Sequence, residues 1–472
     1  MLDTFILLLL MWQLLTLGFF IAINSYYSFF TLLALITIPR QLTLASHHHI
    51  NNLVVGSYYR PISIIVPAYN EELSIITSIS LLLGLKYPEY ELVVVNDGSN
   101  DRTLQRLIEA FRLVPVPRPF QARLEHEPVV HEYVSLMSDQ LRVIDKRNGG
   151  KSDALNAGLN ASRYPLFCCV DADSILEPNA LMRAAKMFVQ DRRVVATGGV
   201  VRILNGCNLT NGKVTDVHAP GKWVERFQAI EYLRGFLVGR SSWSALNGLL
   251  IISGAFGVFR KDVVMAINGY RKTVGEDMDL VVRLHRYCCD QKMPYRVCFL
   301  PDAVCWTQAP ADWHSLLVQR NRWHRGLVET LLYNRSMMGN PRYGLVGLVA
   351  LPYFLLFEAF GPAIEFVGYA GFVLFFYFEL VNCEFALLFL SLAVLWGAWL
   401  NLGGLLLDNV VFRRYARVKD LMILSVAGLF EFAGYRQLIA VERLIATVTF
   451  WRSSWGKPKR HEMNNENRKA AY

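Results

Sequence analysis

Residues 61–71 read PISIIVPAYNE, residues 90–101 read YELVVVNDGSND, and residues 166–173 read LFCCVDAD. Each is a short apolar run that ends abruptly in polar and acidic residues. Runs of this length suit strands buried on both faces, here Ile62–Pro67, Leu92–Asn96 and Leu166–Asp171. Between them, apolar positions at helical spacing predict helices over Glu71–Leu85, Asp101–Leu113 and Lys151–Ser162. Strands alternating with helices give an α/β fold with a doubly wound, Rossmann-like parallel sheet. Such sheets bind ligands at the carboxyl ends of their strands, which is where the three polar endings fall. Residues 114–131 interrupt the rhythm with four prolines and read as an inserted loop, with Val129–Val134 and Leu141–Asp145 as a candidate hairpin.

Outward from this core the chain becomes apolar. Of its 472 residues 53% are hydrophobic. Residues 5–38 carry no charged side chain, and no Lys or Arg lies between Arg342 and Arg413. Both stretches exceed the roughly 20 apolar residues that cross a bilayer. The first begins with Asp3 rather than a basic segment and is too long for a cleaved signal peptide, so it reads as an uncleaved anchor. A hairpin through Asn24–Ser25 is the alternative. In the second, spans are expected near 361–381 and 385–407. Residues 421–450 place apolar positions at helical spacing with Arg436, Glu442 and Arg443 among them, as in an interfacial helix, with Trp451 and Trp455 at headgroup level. A further span within 421–432 is the alternative there.

The domains are therefore an anchor at 1–40, a catalytic domain at 41–342, transmembrane helices at 343–412, interfacial amphipathic helices at 413–456 and a basic tail at 457–472. The net charge of +9 sits in the middle domain and after Arg413. Both regions are then expected in the cytosol, with the N-terminus outside. Arginine-rich tracts are lacking, so no nucleic-acid partner is expected. Eight Cys without C-x-x-C spacing read as reduced core thiols.

The chemistry-bearing residues come in clusters. Ala68, Tyr69 and Glu71 close the first strand, and Asp97 closes the second in Asn96-Asp97-Gly98-Ser99. Gly149-Gly150-Lys151-Ser152 fails as a P-loop because Asp145 stands where that motif needs glycine, leaving a lysine at a glycine-rich helix start that favours phosphate. Asp171 and Asp173 at a strand end form a hard-cation pair of the kind that holds Mg²⁺. Ser253–Gly257, then Gly275-Glu276-Asp277 and Gln319-Arg320-Asn321-Arg322-Trp323, complete the series. Singly each has an ordinary reading as a turn, a helix cap or an interfacial stripe.

In this order the motifs P-x-Y-N-E, N-D-G-S-x-D, G-K, D-x-D, E-D and Q-x-x-R-W resemble the membrane-bound, inverting family-2 glycosyltransferases, which include cellulose, hyaluronan and poly-N-acetylglucosamine synthases. The resemblance runs from about Pro61 to Trp323. It implies a GT-A glycosyltransferase domain between transmembrane helices, a UDP-sugar donor, Mg²⁺ or Mn²⁺, and a glycan or lipid acceptor. It also implies a multi-pass place in the cell (inner or plasma) membrane, among membrane lipids, with the catalytic domain cytosolic. By the same resemblance Asp97, with Ala68, Tyr69 and Glu71, faces the uridine. Lys151 meets the diphosphate, Asp171 the donor and Asp173 the metal. Asp277 is the base, and Glu276, Gln319, Arg322 and Trp323 hold the diphosphate and acceptor. A processive polysaccharide synthase is the expected activity, with transfer of single sugars to a lipid as the alternative. The proline-rich insertion and the few membrane helices depart from the synthases named. A transporter or scaffold with a nucleotide-sensing domain is the rival from another class, and would use Glu358, Glu365 and Glu379 along a pathway.

Overall fold

The computed structural model describes residues 2–47, 59–117, 122–210, 213–378, 383–432 and 434–450. Trp451, Trp455, Glu379 and the tail from 457 lie outside the described residues, as do 118–121 of the insertion.

The strands are β1 Ile62–Ala68, β2 Tyr90–Asp97, β3 Leu113–Pro115, β4 Val129–Ser135, β5 Leu141–Lys146, β6 Leu166–Cys169, β7 Ile175–Leu176, β8 Val194–Ile203, β9 Asn208–Thr210, β10 Lys213–Asp216, β11 Gly257–Arg260 and β12 Arg296–Thr307. Ten of them form one sheet in the order β3-β4-β5-β2-β1-β6-β11-β8-β12-β7, and β9 pairs with β10 apart from it. At its centre β5, β2, β1 and β6 run parallel. Their Ile, Val and Leu side chains are almost wholly buried, as strands covered on both faces require. The α/β expectation holds, and the sheet is mixed. β11 is antiparallel to both β6 and β8, and β4 is antiparallel to β5, which realises the expected hairpin. The predicted helices form as Ile75–Leu83, Thr103–Phe111 and Lys151–Ala161. Each is shorter than its sequence pattern, by one residue for the third and by several for the first two, where turns and bends occupy the intervals.

The N-terminal helix Leu2–His47 runs unbroken through Asn24 and Ser25, so no hairpin turns there. Among the described residues two helices are long and apolar enough to cross a membrane, Met11–Leu42 and Ala386–Phe412. A third span arises if the pair Val346–Ala359 and Gly361–Tyr377, bent by 41°, counts as one. The expected span near 385–407 falls inside the helix Cys383–Phe412. The one near 361–381 begins with the second limb of the bent pair, Gly361–Tyr377, and its last residues, 379–381, lie outside the described residues. The single stripe over 421–450 is two helices, Val418–Phe430 and Tyr435–Val448, broken at Gly434, whose φ of 107° suits glycine. The thiols of Cys168, Cys169, Cys288, Cys298 and Cys305 are buried and unbridged.

Candidate active site

The polar endings of β1, β2, β5 and β6 meet at one edge of the sheet. The turns after β1 and β2 lace together. The Asn70 N–H donates to Ser99 Oγ at 3.0 Å, the Glu71 N–H to Thr103 Oγ1 at 2.8 Å, and the Asn100 N–H to Asn70 Oδ1 at 2.8 Å. Asn70 and Gly98 both take positive φ so that the turns can close. Glu71 is buried and accepts from Ser74 Oγ, while Asn100 donates to the Tyr69 hydroxyl at 3.4 Å.

Asp97 is buried, and four donors occupy its carboxylate: Lys146 Nζ at 2.6 Å, the N–H groups of Gly149 and Gly150 at 3.0 and 2.8 Å, and Asn148 Nδ2 at 3.2 Å. Here Asp97 shapes the loop that starts the Lys151 helix. Contact with a base requires one of these donors to give way. Lys146 also pairs with Asp153 at 2.5 Å, and sequence reasoning missed it. As the last residue of β5 it looks like an ordinary strand end, and only the alignment of Asp97 beside it gives it a task.

From this loop Lys151 reaches across the edge to Asp171 at 2.6 Å and Glu276 at 3.3 Å. Burial pushes its pKa down, but Asp171, Glu276 and Asp277 outweigh burial and raise it, so it stays a cation. Gly254 lies beneath it, and a Cβ there would stand 2.7 Å from Lys151 Nζ. The Gly254 N–H donates to Asp277 Oδ2 at 3.3 Å, and the Met278 N–H to Oδ1 at 2.8 Å. Asp277 thus stands in the first turn of the helix Glu276–Asp290, where peptide dipoles favour an anion. Burial and the Asp277 charge raise the Glu276 pKa against the pull of Lys151.

Asp173 shares this edge. Burial and the Asp171 carboxylate push its pKa up to about 6, against the pull of Lys151 and Arg322. Arg322 belongs to the helix Trp313–Tyr333, which meets the Glu276 helix backbone to backbone at Gly275 and Gly326. One turn of that helix therefore brings Arg322 toward Asp173 and leaves Trp323 39% exposed, with its ring 6.4 Å from Tyr232 and the Arg320 guanidinium 4.3 Å above it. Arg320 itself is buried and paired with Glu231 at 2.7 Å. Gln319 keeps a buried side-chain oxygen without a partner. Glu358 and Glu365 are ion-paired with Arg443 and Arg436, so neither stands as a free carboxylate along a pathway.

Among the described residues no three His, Cys, Asp or Glu converge as a ready metal cage. A hard cation of the Mg²⁺ type needs only one or two carboxylates when substrate phosphates and water complete its shell. Asp171 and Asp173 fit that demand, and the crowding that raises the Asp173 pKa is the strain a cation relieves.

Comparison with known proteins gives this edge its class. The glycosyl transferase family 2 model matches residues 63–264, and that of glycosyl transferase family group 2 matches 166–400. Together they span residues 63–400, and this stretch of the chain carries a family-2 glycosyltransferase domain. The chain is 28% identical over 273 residues to a poly-beta-1,6-N-acetyl-D-glucosamine synthase of Staphylococcus epidermidis, covering 57% of this chain and 55% of that protein. The synthase of Staphylococcus aureus (strain COL) is 29% identical over 302 residues, covering 63% and 60%. The chain thus spans less than two thirds of the length of these curated relatives. A mannosyltransferase from Pyrobaculum calidifontis, solved with GDP-Man and Mn²⁺, aligns at a TM-score of 0.48 and 15% identity over 93% of this chain and 99% of that one.

Proposed function

We propose that the enzyme transfers a sugar from a UDP-sugar with inversion and repeats the step to extend a β-linked polysaccharide. The observation that carries this reading is Lys151, bridging Asp171 and Glu276 beside an Asp277 held by two backbone N–H groups. Asp277 takes the proton of the acceptor hydroxyl as its oxygen bonds to the anomeric carbon, and the bond from that carbon to the diphosphate oxygen breaks. Lys151 and Arg322 meet the charge that develops on the departing diphosphate. Asp173, with Asp171, would hold Mg²⁺ or Mn²⁺, which supplies Lewis-acid neutralisation of the same charge. Ala68, Tyr69, Glu71 and Asp97 line the nucleoside end. Trp323 offers an exposed indole face to the acceptor, and Glu276, next to the base, and Gln319 flank it.

A polymer product is supported by the likeness to the poly-N-acetylglucosamine synthases. Membrane placement is supported by the two apolar helices that flank the sugar-transfer domain. The reading places that domain in the cytosol of a multi-pass protein of the cell membrane. The test is incubation of membranes holding the enzyme with labelled UDP-sugars and Mg²⁺ or Mn²⁺, followed by sizing of the product. A cation-dependent long polymer from one UDP-sugar is expected. A uniform product carrying one added sugar on a lipid moves the assignment to glycolipid transfer. No incorporation from any nucleotide sugar contradicts the reading.

A further inference from the structure

The helices Val418–Phe430 and Tyr435–Val448 distribute their side chains inside out. Among the described residues from Leu421 to Val448, every exposed one is apolar or glycine, with Met422, Val426 and Phe430 on the first limb and Leu438, Val441 and Ile445 on the second. The charged side chains of the same stretch turn inward. Glu431 pairs with Arg234 at 2.9 Å, Arg436 with Glu365 at 2.6 Å and Arg443 with Glu358 at 3.0 Å, while Glu442 accepts from Asn321 Nδ2 at 2.7 Å. A helix lying in the headgroup zone has the opposite arrangement, with its charged face toward water. Apolar side chains outside and paired charges inside are what hydrocarbon selects.

Depth follows from the neighbours. The first limb starts at the transferase domain, where Asp420 accepts from the Ala219 N–H at 3.0 Å. At its far end Asn401 Nδ2 donates to the Gly428 carbonyl at 2.9 Å, and the Phe432 ring lies against Gly397. Asn401 and Gly397 belong to the helix Cys383–Phe412, which meets the domain at Asp408 through Arg202. Gly397 stands roughly 16 Å beyond Asp408 at the helical rise per residue, half the depth of a hydrocarbon core of about 30 Å. That helix exposes apolar side chains of its own, Leu395 and Trp399 among them, so one covering serves both.

The second limb then steps back. Arg436 meets Glu365, Arg443 meets Glu358 one limb earlier in the bent pair, and Thr447 Oγ1 lies 2.7 Å from His324 Nε2 in the helix Trp313–Tyr333. The turn between the limbs closes on itself. The Gly434 N–H donates to Gln437 Oε1 at 3.0 Å, and Gln437 Nε2 donates to the Phe432 carbonyl at 2.8 Å. Backbone at membrane depth requires such internal partners.

We propose that residues 418–448 form a re-entrant hairpin whose partner is the acyl region of one bilayer leaflet. It enters from the transferase side, turns near mid-depth at 431–434 and returns to the same side. This rests on the membrane placement of the helix Cys383–Phe412. Through Asn321 and His324 the returning limb holds the helix that carries Arg322 and Trp323, which fastens that helix to an element buried in lipid.

The experiment uses the full-length enzyme with Cys207, Cys289 and Cys383, the thiols that are not buried, replaced by Ser. Single cysteines at Met422, Phe430, Val448 and Leu395 are labelled with bimane, and the protein is reconstituted in phosphatidylcholine–phosphatidylglycerol vesicles. Quenching is read with nitroxides near the lipid headgroup, with nitroxides near the chain end, and with aqueous iodide. The label of Phe430→Cys is expected to be quenched about 3-fold more by the deep nitroxide than by the shallow one, as a place near mid-depth requires. Met422→Cys and Val448→Cys are expected to show the reverse order. Should Phe430→Cys fold poorly, Val426→Cys carries the same reading. Equal shallow quenching at all three hairpin positions overturns the proposal, because it marks a helix pair lying at the interface. Iodide quenching at position 430 overturns it too, as does protection there from every quencher, which marks a protein partner. Leu395→Cys separates the two claims: a label there that no lipid nitroxide reaches removes the membrane placement itself, and the hairpin with it.

Discussion

At the scale of single residues, the site is a line of opposite charges in which each member fixes its neighbour. Asp97 orders the Gly149–Gly150 loop, the loop launches Lys151, and Lys151 draws Asp171 and Glu276 together beside Asp277. Asp173 titrates near pH 6 because burial and Asp171 both oppose its ionisation. A proton and a divalent cation then compete for it. Above that pH the carboxylate is free to ligate, and below it the apparent cation affinity is expected to fall about 10-fold per pH unit, as competition with one proton demands. Titrating Mn²⁺ at pH 5, 6 and 7 by calorimetry checks this, and Asp173→Asn is expected to abolish the slope. Most of this line was legible in the sequence, because Asp97, Asp171 and Asp173 each follow an apolar strand and so fall at the sheet edge. Lys146 was not. Lys146 is a strand terminus like any other until its parallel neighbour is known.

At the scale of elements, the Gly275–Gly326 contact ties the helix that carries Arg322 and Trp323 to the helix that begins at Glu276 and Asp277. A Cβ on Gly326 would lie 2.7 Å from the Gly275 Cα, and backbone at that distance cannot yield as a flexible side chain does. Gly326→Leu is expected to push the Trp313–Tyr333 helix away and to carry Arg322 and Trp323 with it. A drop in transfer of at least about 10-fold should follow, as small misplacements of reacting groups are costly. Donor binding to the β1 and β2 turns should persist. Comparing binding and transfer in this variant gives the check. Strand positions were readable from apolar runs, but strand direction was not. Nothing in the residues of β11 states that it runs against β6, since a buried strand is apolar on both faces in either direction. The break at Gly434 was likewise hidden inside an apparently continuous helical pattern.

At the scale of the whole molecule, the transferase domain is fastened to the apolar C-terminal helices by charged groups. Arg202 of β8 pairs with Asp408 near the end of the helix Cys383–Phe412, and neither is accessible to water. Glu177 binds Arg414 at 2.7 Å, and Asp420 accepts from the Ala219 N–H at 3.0 Å. Asp408→Asn leaves a buried guanidinium without its anion and is expected to destabilise the protein by roughly 3–5 kcal/mol, read as a lower melting temperature in detergent. The N-terminal helix runs alongside in the same direction, with Ser28 bonded to Trp396 and the Phe30 carbonyl accepting from Ser242. Both apolar helices therefore end on the side of the transferase domain. A cysteine replacing the exposed Ala416 is expected to react with an impermeant thiol reagent only from the cytosolic face. The length and apolarity of these helices were plain in the sequence, whereas the buried pairs that dock them join residues about two hundred positions apart and leave no local trace.

The central claim is that Asp277 is the base of a sugar transfer from a nucleoside diphosphate donor, and Asp277→Asn tests it most directly. The amide keeps the size of the carboxylate but cannot take a proton at neutral pH. Donor affinity and turnover are measured on the same purified, cation-loaded protein. The account predicts donor binding within about 3-fold of the parent and turnover lower by about 100-fold or more, the scale of general-base catalysis. Turnover near that of the parent, with the donor bound normally, would contradict it.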